Sequence, residues 1–442
     1  MTKYAASGSS PLTFGQLSVL RDLQDLPAET WWQTYLCKSV ALRPGTTLSD
    51  VTAALSVVSR RHDSLRTYFV GSEDEMVAVT VPSGLPPVEV IEMPDATEHE
   101  LASTALQNCR NPFQWDREFA WRAFIFTASG SLRELVLVLD HMLVDGTGLR
   151  QLLAELRALL RGDDEEGRQL LASAPRQPRE LAAAQGSELW SARRRAIDQY
   201  WDRLLDLPPH VFPWPTGQKN AGRVGGVLSS ARTRAALGQV ANRLSVTPQS
   251  IMLALTAIAL AATLDQENVA LSLLANNRYD PKWRHLVSSM NQITPVAVAV
   301  GRTDESFESF ARRVHVAGLN AYRHGSYNVD DIAEKVRNVR GSELTFDVYF
   351  NFMAFDVPRH SEAPLSSFPE PELRLHEPQR QDGQRLDFRV RGGANMEIAM
   401  RADPTVMSSD TLSRLLAWYD EELIGLSRGE RVGVKDSISR IH

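Results

Sequence analysis

The stretch ELVLVLDHMLVDGTGLRQLLAELRALL, residues 134–160, decides the fold. Its opening, ELVLVLD at 134–140, is almost continuously apolar, as in a strand covered on both faces. Its close, LRQLLAELRALL at 149–160, places Leu149, Leu152, Leu153, Leu156 and Leu160 on one helical stripe. Between them lies HMLVDGTG at 141–148. A strand thus delivers His141 to its end, Asp145 and Gly146 follow, and a helix begins. Imidazole is the side chain best suited to take and return a proton near neutral pH. Gly146 permits a tight turn and close backbone approach. The N–H groups that open the helix suit a developing oxyanion. The plainer alternative is a chance His-x-x-x-Asp-Gly string with Asp145 as an ordinary helix cap.

Outward from this segment, helices and strands intermix. TLSDVTAALSVVSRRH, ending at His62, has helical spacing at Leu48, Val51, Leu55 and Val58, with Ser49 as the expected cap. LRTYFV at 65–70 and WRAFIF at 121–126 read as strands, and EHELASTALQNCR at 98–110 as a helix. Residues 1–10 read as a disordered start and 81–98 as a surface connection. The charge run at 161–168 reads as a solvated helix end, and 171–186, with scattered Ala, Pro and Gln, as a linker. Beyond it come a helix at 187–207, a Pro-rich stretch at 208–215 and a helix opening at Thr247-Pro248. Strands are expected at 269–278, 293–300 and 345–355, a hairpin turning at Gly392-Gly393, and a last helix at 409–426.

Composition narrows the function. The chain has 442 residues, with 48 Lys+Arg against 54 Asp+Glu and a formal net charge of −6. A protein that coats nucleic acid carries a basic surplus, so that class is set aside. The apolar run from Ile251 to Leu264 is shorter than the roughly 18 to 20 residues of a membrane span, and a buried core helix is the better reading. The N-terminus lacks the apolar stretch of a secretory signal. Cys37 and Cys109 make neither a disulfide framework nor a zinc site. No metal is expected, and the expected location is the reducing cytoplasm.

DHMLVDG at 140–146 resembles the HHxxxDG signature of nonribosomal peptide synthetase condensation domains, in the chloramphenicol-acetyltransferase-like superfamily. Further matches follow in order. PLTFGQLSVLRDL at 11–23 is similar to the family's opening motif, and RHDSLRTYF at 61–69 to its RHExLRTxF motif. NPFQWDREFAWRAFIF at 111–126 resembles the stretch before the catalytic strand, and QYWDRLL at 199–205 the YWxxxL helix of the second lobe. Residues 246–278 follow the family's long helix, strand and terminal Arg. VSSMNQITP at 287–295 departs from the family's Asn-Thr-Leu-Pro-like string, in a stretch that tends to line its tunnel.

The resemblance implies an α/β (α+β) fold of two chloramphenicol-acetyltransferase-like lobes forming a V with a central tunnel, here 1–175 and 176–442. It implies a condensation enzyme forming an amide or ester in natural-product, including antibiotic, biosynthesis. The donor would be an acyl or aminoacyl thioester on the phosphopantetheine of a carrier protein, with no permanently bound cofactor. The acceptor would be a small or carrier-bound amine or hydroxyl; no nucleic acid or membrane partner is implied. His141 matches the second His of the signature, the proton acceptor or nucleophile-positioning group. Asp145 matches a structural residue paired with the Arg at Arg278, and Gly146 completes the motif. Asp140 stands where the first His would be, and a structural role is favoured for it. With no adenylation or carrier domain in the chain, a free-standing enzyme acting in trans is expected. Two alternatives stand beside it: a coenzyme A-dependent acyltransferase of the same fold, and a catalytically silent domain that recruits partner enzymes.

Overall fold

The computed structural model describes residues 8–72, 75–162, 165–207, 222–301, 304–358, 363–380, 384–430 and 432–441. The Pro-rich stretch at 208–215 lies outside them, as do residues 1–7 and 163–164. Two compact units form. The first comprises Met1–Arg195, Asn276–Gln292 and Ser326–Asp331; the second comprises Ala196–Ala275, Ile293–Gly325 and Ile332–His442. The chain therefore divides within a helix at residue 195, rather than at 175, and two later segments return to the first unit.

In the first unit the order is β1 (Ser9–Pro11), α1 (Phe14–Gln24), β2 (Leu36–Ala41), α2 (Leu48–Arg61), β3 (Thr67–Val70), β4 (Val77–Thr80), β5 (Val88–Glu92), α3 (Glu98–Gln107), β6 (Trp121–Ala128), β7 (Ser131–Leu139), α4 (Gly146–Arg161), α5 (Glu165–Ala172) and α6 (Pro178–Gly186). One sheet runs β2-β7-β6-β5 and a small one β1-β4-β3. β7 pairs antiparallel with β2 and β6, and β5 joins β6 in parallel. Leu135 to Leu139 are all fully buried, so β7 is covered on both faces as its continuous apolar run requires. α3 packs on β2 and β7, and α4 on β2 and α2. Leu149, Leu152, Leu153 and Leu156 form the buried stripe of α4.

Four expectations are corrected here. Residues 9–11 are not disordered: β1 pairs antiparallel with β4. The connection at 81–98 contains β5, an edge strand whose Glu89 and Glu92 hid its apolar positions. The cap of α2 is Thr47, whose side chain accepts from the Asp50 N–H, rather than Ser49. Residues 171–186 are not a linker: Pro178 opens α6, and Leu181 packs with Trp283, Leu286 and Met290. Alanine and glutamine at 182–185 gave that helix no conspicuous stripe.

The second unit holds most of α7 (Ser191–Leu205), then β8 (Gly222–Ser230), α8 (Ala231–Leu244), α9 (Pro248–Thr263), β9 (Asn268–Ala275), β10 (Gln292–Ala299), α10 (Phe307–Arg323), most of α11 (Val329–Arg340), β11 (Val348–Met353), β12 (Glu372–Arg380), β13 (Leu386–Arg391), β14 (Met396–Ala402), α12 (Ser409–Ser427) and α13 (Val434–Ser439). Its sheet runs β10-β9-β11-β13-β14-β8-β12. The β13–β14 hairpin turns through Gly393, with φ +141°. α9 is buried all round, from Ile251 to Ala262, because it has no polar face to expose. Among the described residues no single helix is long and apolar enough to cross a membrane.

Candidate active site

The site is assembled within the first unit from the end of β7, the start of α4, the first turn of α1 and the returning segment 276–292. β7 ends at Leu139, held between Leu36 and Trp121. The chain then turns, with the Leu143 N–H donating to the Asp140 carbonyl at 3.0 Å. Asp140 is fully buried. One carboxylate oxygen accepts from the Met142 N–H at 2.8 Å and the other from Trp115 Nε1–H at 2.9 Å. Burial pushes its pKa up to about 6, against these two hydrogen bonds. Both oxygens thus secure the turn that carries His141.

His141 sits in that turn, half-buried. Burial draws its imidazole pKa down, against the Asp145 carboxylate, which raises it. The net direction is down, so the ring is neutral near neutral pH.

Asp145 takes an extended backbone, φ −99° and ψ 177°, and caps α4. Oδ1 accepts from the Thr147 and Gly148 N–H groups at 3.0 and 2.8 Å. Oδ2 accepts from Arg278 Nη1 at 2.6 Å and from the Met290 and Asn291 N–H groups at 3.0 and 3.2 Å. Burial raises its pKa, but the Arg278 charge and these hydrogen bonds hold it below the usual carboxylate range. With both oxygens occupied, Asp145 is a poor base and a good clamp. It also corrects the oxyanion expectation: two of the N–H groups that open α4 are already bonded to it.

Arg278 completes the clamp. Nη2 donates to the Leu286 and Ser288 carbonyls at 3.2 and 3.1 Å. Asn277, at φ +55°, bends the chain out of β9, and its Nδ2 donates to the Met290 carbonyl at 2.9 Å. The loop that departs from the family string at 287–291 is therefore held from both ends.

The reason given for Gly146 is corrected too. Its φ is ordinary, and a Cβ there would meet open space. The close approach belongs to Gly148, where a Cβ would fall 2.8 Å from Val144 Cγ2 and 3.2 Å from the Ser288 nitrogen. A second one was missed at Gly15, where a Cβ would fall 2.4 Å from the Ser289 carbonyl oxygen. Beside it, Thr13 Oγ1 donates to that same carbonyl at 3.4 Å, and Gln16 Nε2 donates to the Met142 carbonyl at 3.3 Å. The first turn of α1 thus holds both the histidine turn and the facing loop. The other missed residue is Ser289, whose Oγ lies 3.4 Å from His141 Nδ1. No local pattern marks it.

His62 lies apart from these contacts: buried, it bonds Glu155 Oε2 at 2.8 Å. Arg193 stacks on Trp190, with 4.7 Å from its guanidinium carbon to the ring centroid. Among the described residues no cluster of His, Cys, Asp or Glu is placed to hold a metal ion.

The model of the family described as Condensation domain matches residues 10–423. The chain is similar to tyrocidine synthase 3 of Brevibacillus parabrevis, 24% identical over 354 residues, which cover 76% of this chain and 5% of that protein. It is also similar to the polyketide synthase-nonribosomal peptide synthetase pyiS of Pyricularia grisea, 23% identical over 448 residues, or 96% of this chain and 11% of that one. The chain thus spans only a small part of these curated relatives. Among solved structures, the condensation domain from the Monacolin K polyketide synthase MokA shares the fold with a TM-score of 0.75 at 14% identity, covering 97% of this chain and 99% of that one. The first condensation domain of the calcium-dependent antibiotic synthetase, in complex with a substrate analogue, gives 0.70 at 19% identity, with coverage of 97% and 99%. With a family model spanning nearly all its length and a fold shared from end to end, the chain belongs to the condensation-domain family, acyltransferase-type enzymes of chloramphenicol-acetyltransferase-like fold.

Proposed function

We propose that the protein joins an acyl or aminoacyl group, presented as a thioester, to an amine or hydroxyl acceptor in nonribosomal peptide biosynthesis, with His141 as the proton acceptor. The observation that carries this is an imidazole in the turn just past the buried end of β7, its pKa drawn down by burial, beside a carboxylate already committed to an arginine. In this reading the acceptor nitrogen or oxygen attacks the thioester carbon and its proton passes to His141. The tetrahedral intermediate then collapses, the C–S bond breaks, and the proton goes on to the departing sulfur. Asp145 and Arg278 hold the turn in register throughout.

The donor in this reading is a phosphopantetheine thioester on a carrier protein, as the synthetase relatives support. Coenzyme A is the second donor considered, because the starter condensation domain of rhizomide synthetase, in mutant form, was solved in complex with C8-CoA. Carrier docking is partly electrostatic, so turnover with the carrier-borne donor should weaken with salt. The test is single-turnover acyl transfer with matched acyl-carrier and acyl-coenzyme A donors across salt concentrations. Faster, salt-sensitive transfer from the carrier supports the proposal, and equal rates point to coenzyme A. Carrier binding without turnover would make the protein a recruitment domain.

A further inference from the structure

The hydroxyl of Ser289 lies between two groups that fix its direction. It donates to Asn291 Oδ1 at 3.2 Å and lies 3.4 Å from His141 Nδ1. A carboxamide oxygen only accepts, so the Ser289 proton points toward Asn291. The Ser289 lone pairs are then what Nδ1 meets, and Nδ1 must carry the proton.

The hydroxyl is held in place. Asp145 Oδ2 grips the backbone N–H groups of Met290 and Asn291, and Thr13 grips the Ser289 carbonyl. Ser289 is fully buried, and the absent Cβ of Gly15 lets α1 close directly on it.

We infer that Ser289, oriented by Asn291, is a positioning residue that holds His141 in its Nδ1–H tautomer and leaves Nε2 as the proton acceptor. The inference rests on the proposal that His141 accepts a proton, and it adds the side chains that hold the ring in the required tautomer. Turning the Asn291 carboxamide over would reverse the chain. Its N–H would donate to Ser289, Ser289 would donate to Nδ1, and Nε2 would carry the proton and lose its capacity as a base.

The experiment is 15N NMR of histidine-labelled protein above the imidazole pKa, with the His141 resonances identified by their loss in His141→Ala. The expected spectrum shows Nδ1–H for His141. Ser289→Ala should melt like the parent, mix the two tautomers and lower kcat about tenfold or more at unchanged KM. Ser289→Thr should restore both readouts, and Asn291→Ala should fall between. An Nε2–H ring in the parent, or an unchanged tautomer and kcat in Ser289→Ala, would overturn the inference. Full turnover in His141→Ala would overturn the proton-acceptor proposal itself, while the spectrum still decides the Ser289 contact.

Discussion

Arg278 and Asp145, 133 residues apart in the chain, meet at 2.6 Å with both side chains 3% exposed. Removing one member of such a pair leaves a buried charge uncompensated, at about 3 to 5 kcal/mol. Asp145→Ala and Arg278→Ala should each lose stability on that scale and lose turnover with it. The double variant should be less destabilised than the sum of the two. Urea unfolding of the four proteins checks this; additive losses would mean the pair is not coupled.

Asp140 makes a pH signature. Its folded pKa of about 6 lies above the ordinary value of 3.8, so the native state holds a proton that the unfolded chain releases between these values. Stability therefore falls as pH rises from about 4 to 6, by about 3 kcal/mol from this group. Asp140→Asn should flatten that slope. Urea midpoints of parent and variant compared from pH 4 to 7 test it, and parallel curves would exclude Asp140 as the source.

Glu155 has the opposite sign. Burial raises its pKa, but hydrogen bonding and charge from His62, with Gln151 and Arg61, bring it to about 2. Its contribution is present above pH 4.5 and drains away as pH falls toward 2, again about 3 kcal/mol. Glu155→Gln should be the less stable protein at neutral pH, and the gap should close in acid. A gap constant from pH 3 to 7 would contradict the pairing.

The glycines separate folding from chemistry. Gly148→Ala and Gly15→Ala force a Cβ onto neighbouring atoms and should cost stability, Gly15→Ala the more because its obstacle is backbone. Gly146→Ala enters open space and should fold like the parent. Thermal melting of the three orders them; a Gly146→Ala protein as unstable as Gly148→Ala would refute the assignment.

In the proposed reaction His141 is expected to set the acid limb of the rate. Because burial lowers its pKa, the base form persists below the ordinary imidazole value. The acid limb of kcat/KM should fall below pH 6.5 and vanish in His141→Ala, whose residual rate should be lower by about 10² to 10⁴. A limb above 6.5 would assign it to another group.

The parts legible in sequence are those whose surroundings repeat along the chain. The continuous run of β7, the leucine stripe of α4 and the all-round apolar α9 each state their burial in their own residues. β5 and α6 were hidden because Glu89, Glu92 and the alanines of 182–184 blur the period, although the neighbouring β6 and Trp283 supply the missing face. His141, Asp145 and Arg278 could be placed by motif. Ser289, Gly15 and Gly148 could not, since their roles exist only where distant segments touch: Thr13 and Ser289 are 276 residues apart.

The return of segment 276–292 to the first unit gives the molecule a clock. At a synthesis rate of about 5 to 20 residues per second, Arg278 leaves the ribosome roughly 7 to 27 seconds after Asp145. During that interval the carboxylate has no cation, and the turn bearing His141 has no facing loop. A nascent chain that stops at residue 195 therefore carries the strand, the turn and the helix of the site, yet cannot close it. The site can close only once the chain has travelled out through the second unit's first strands and come back.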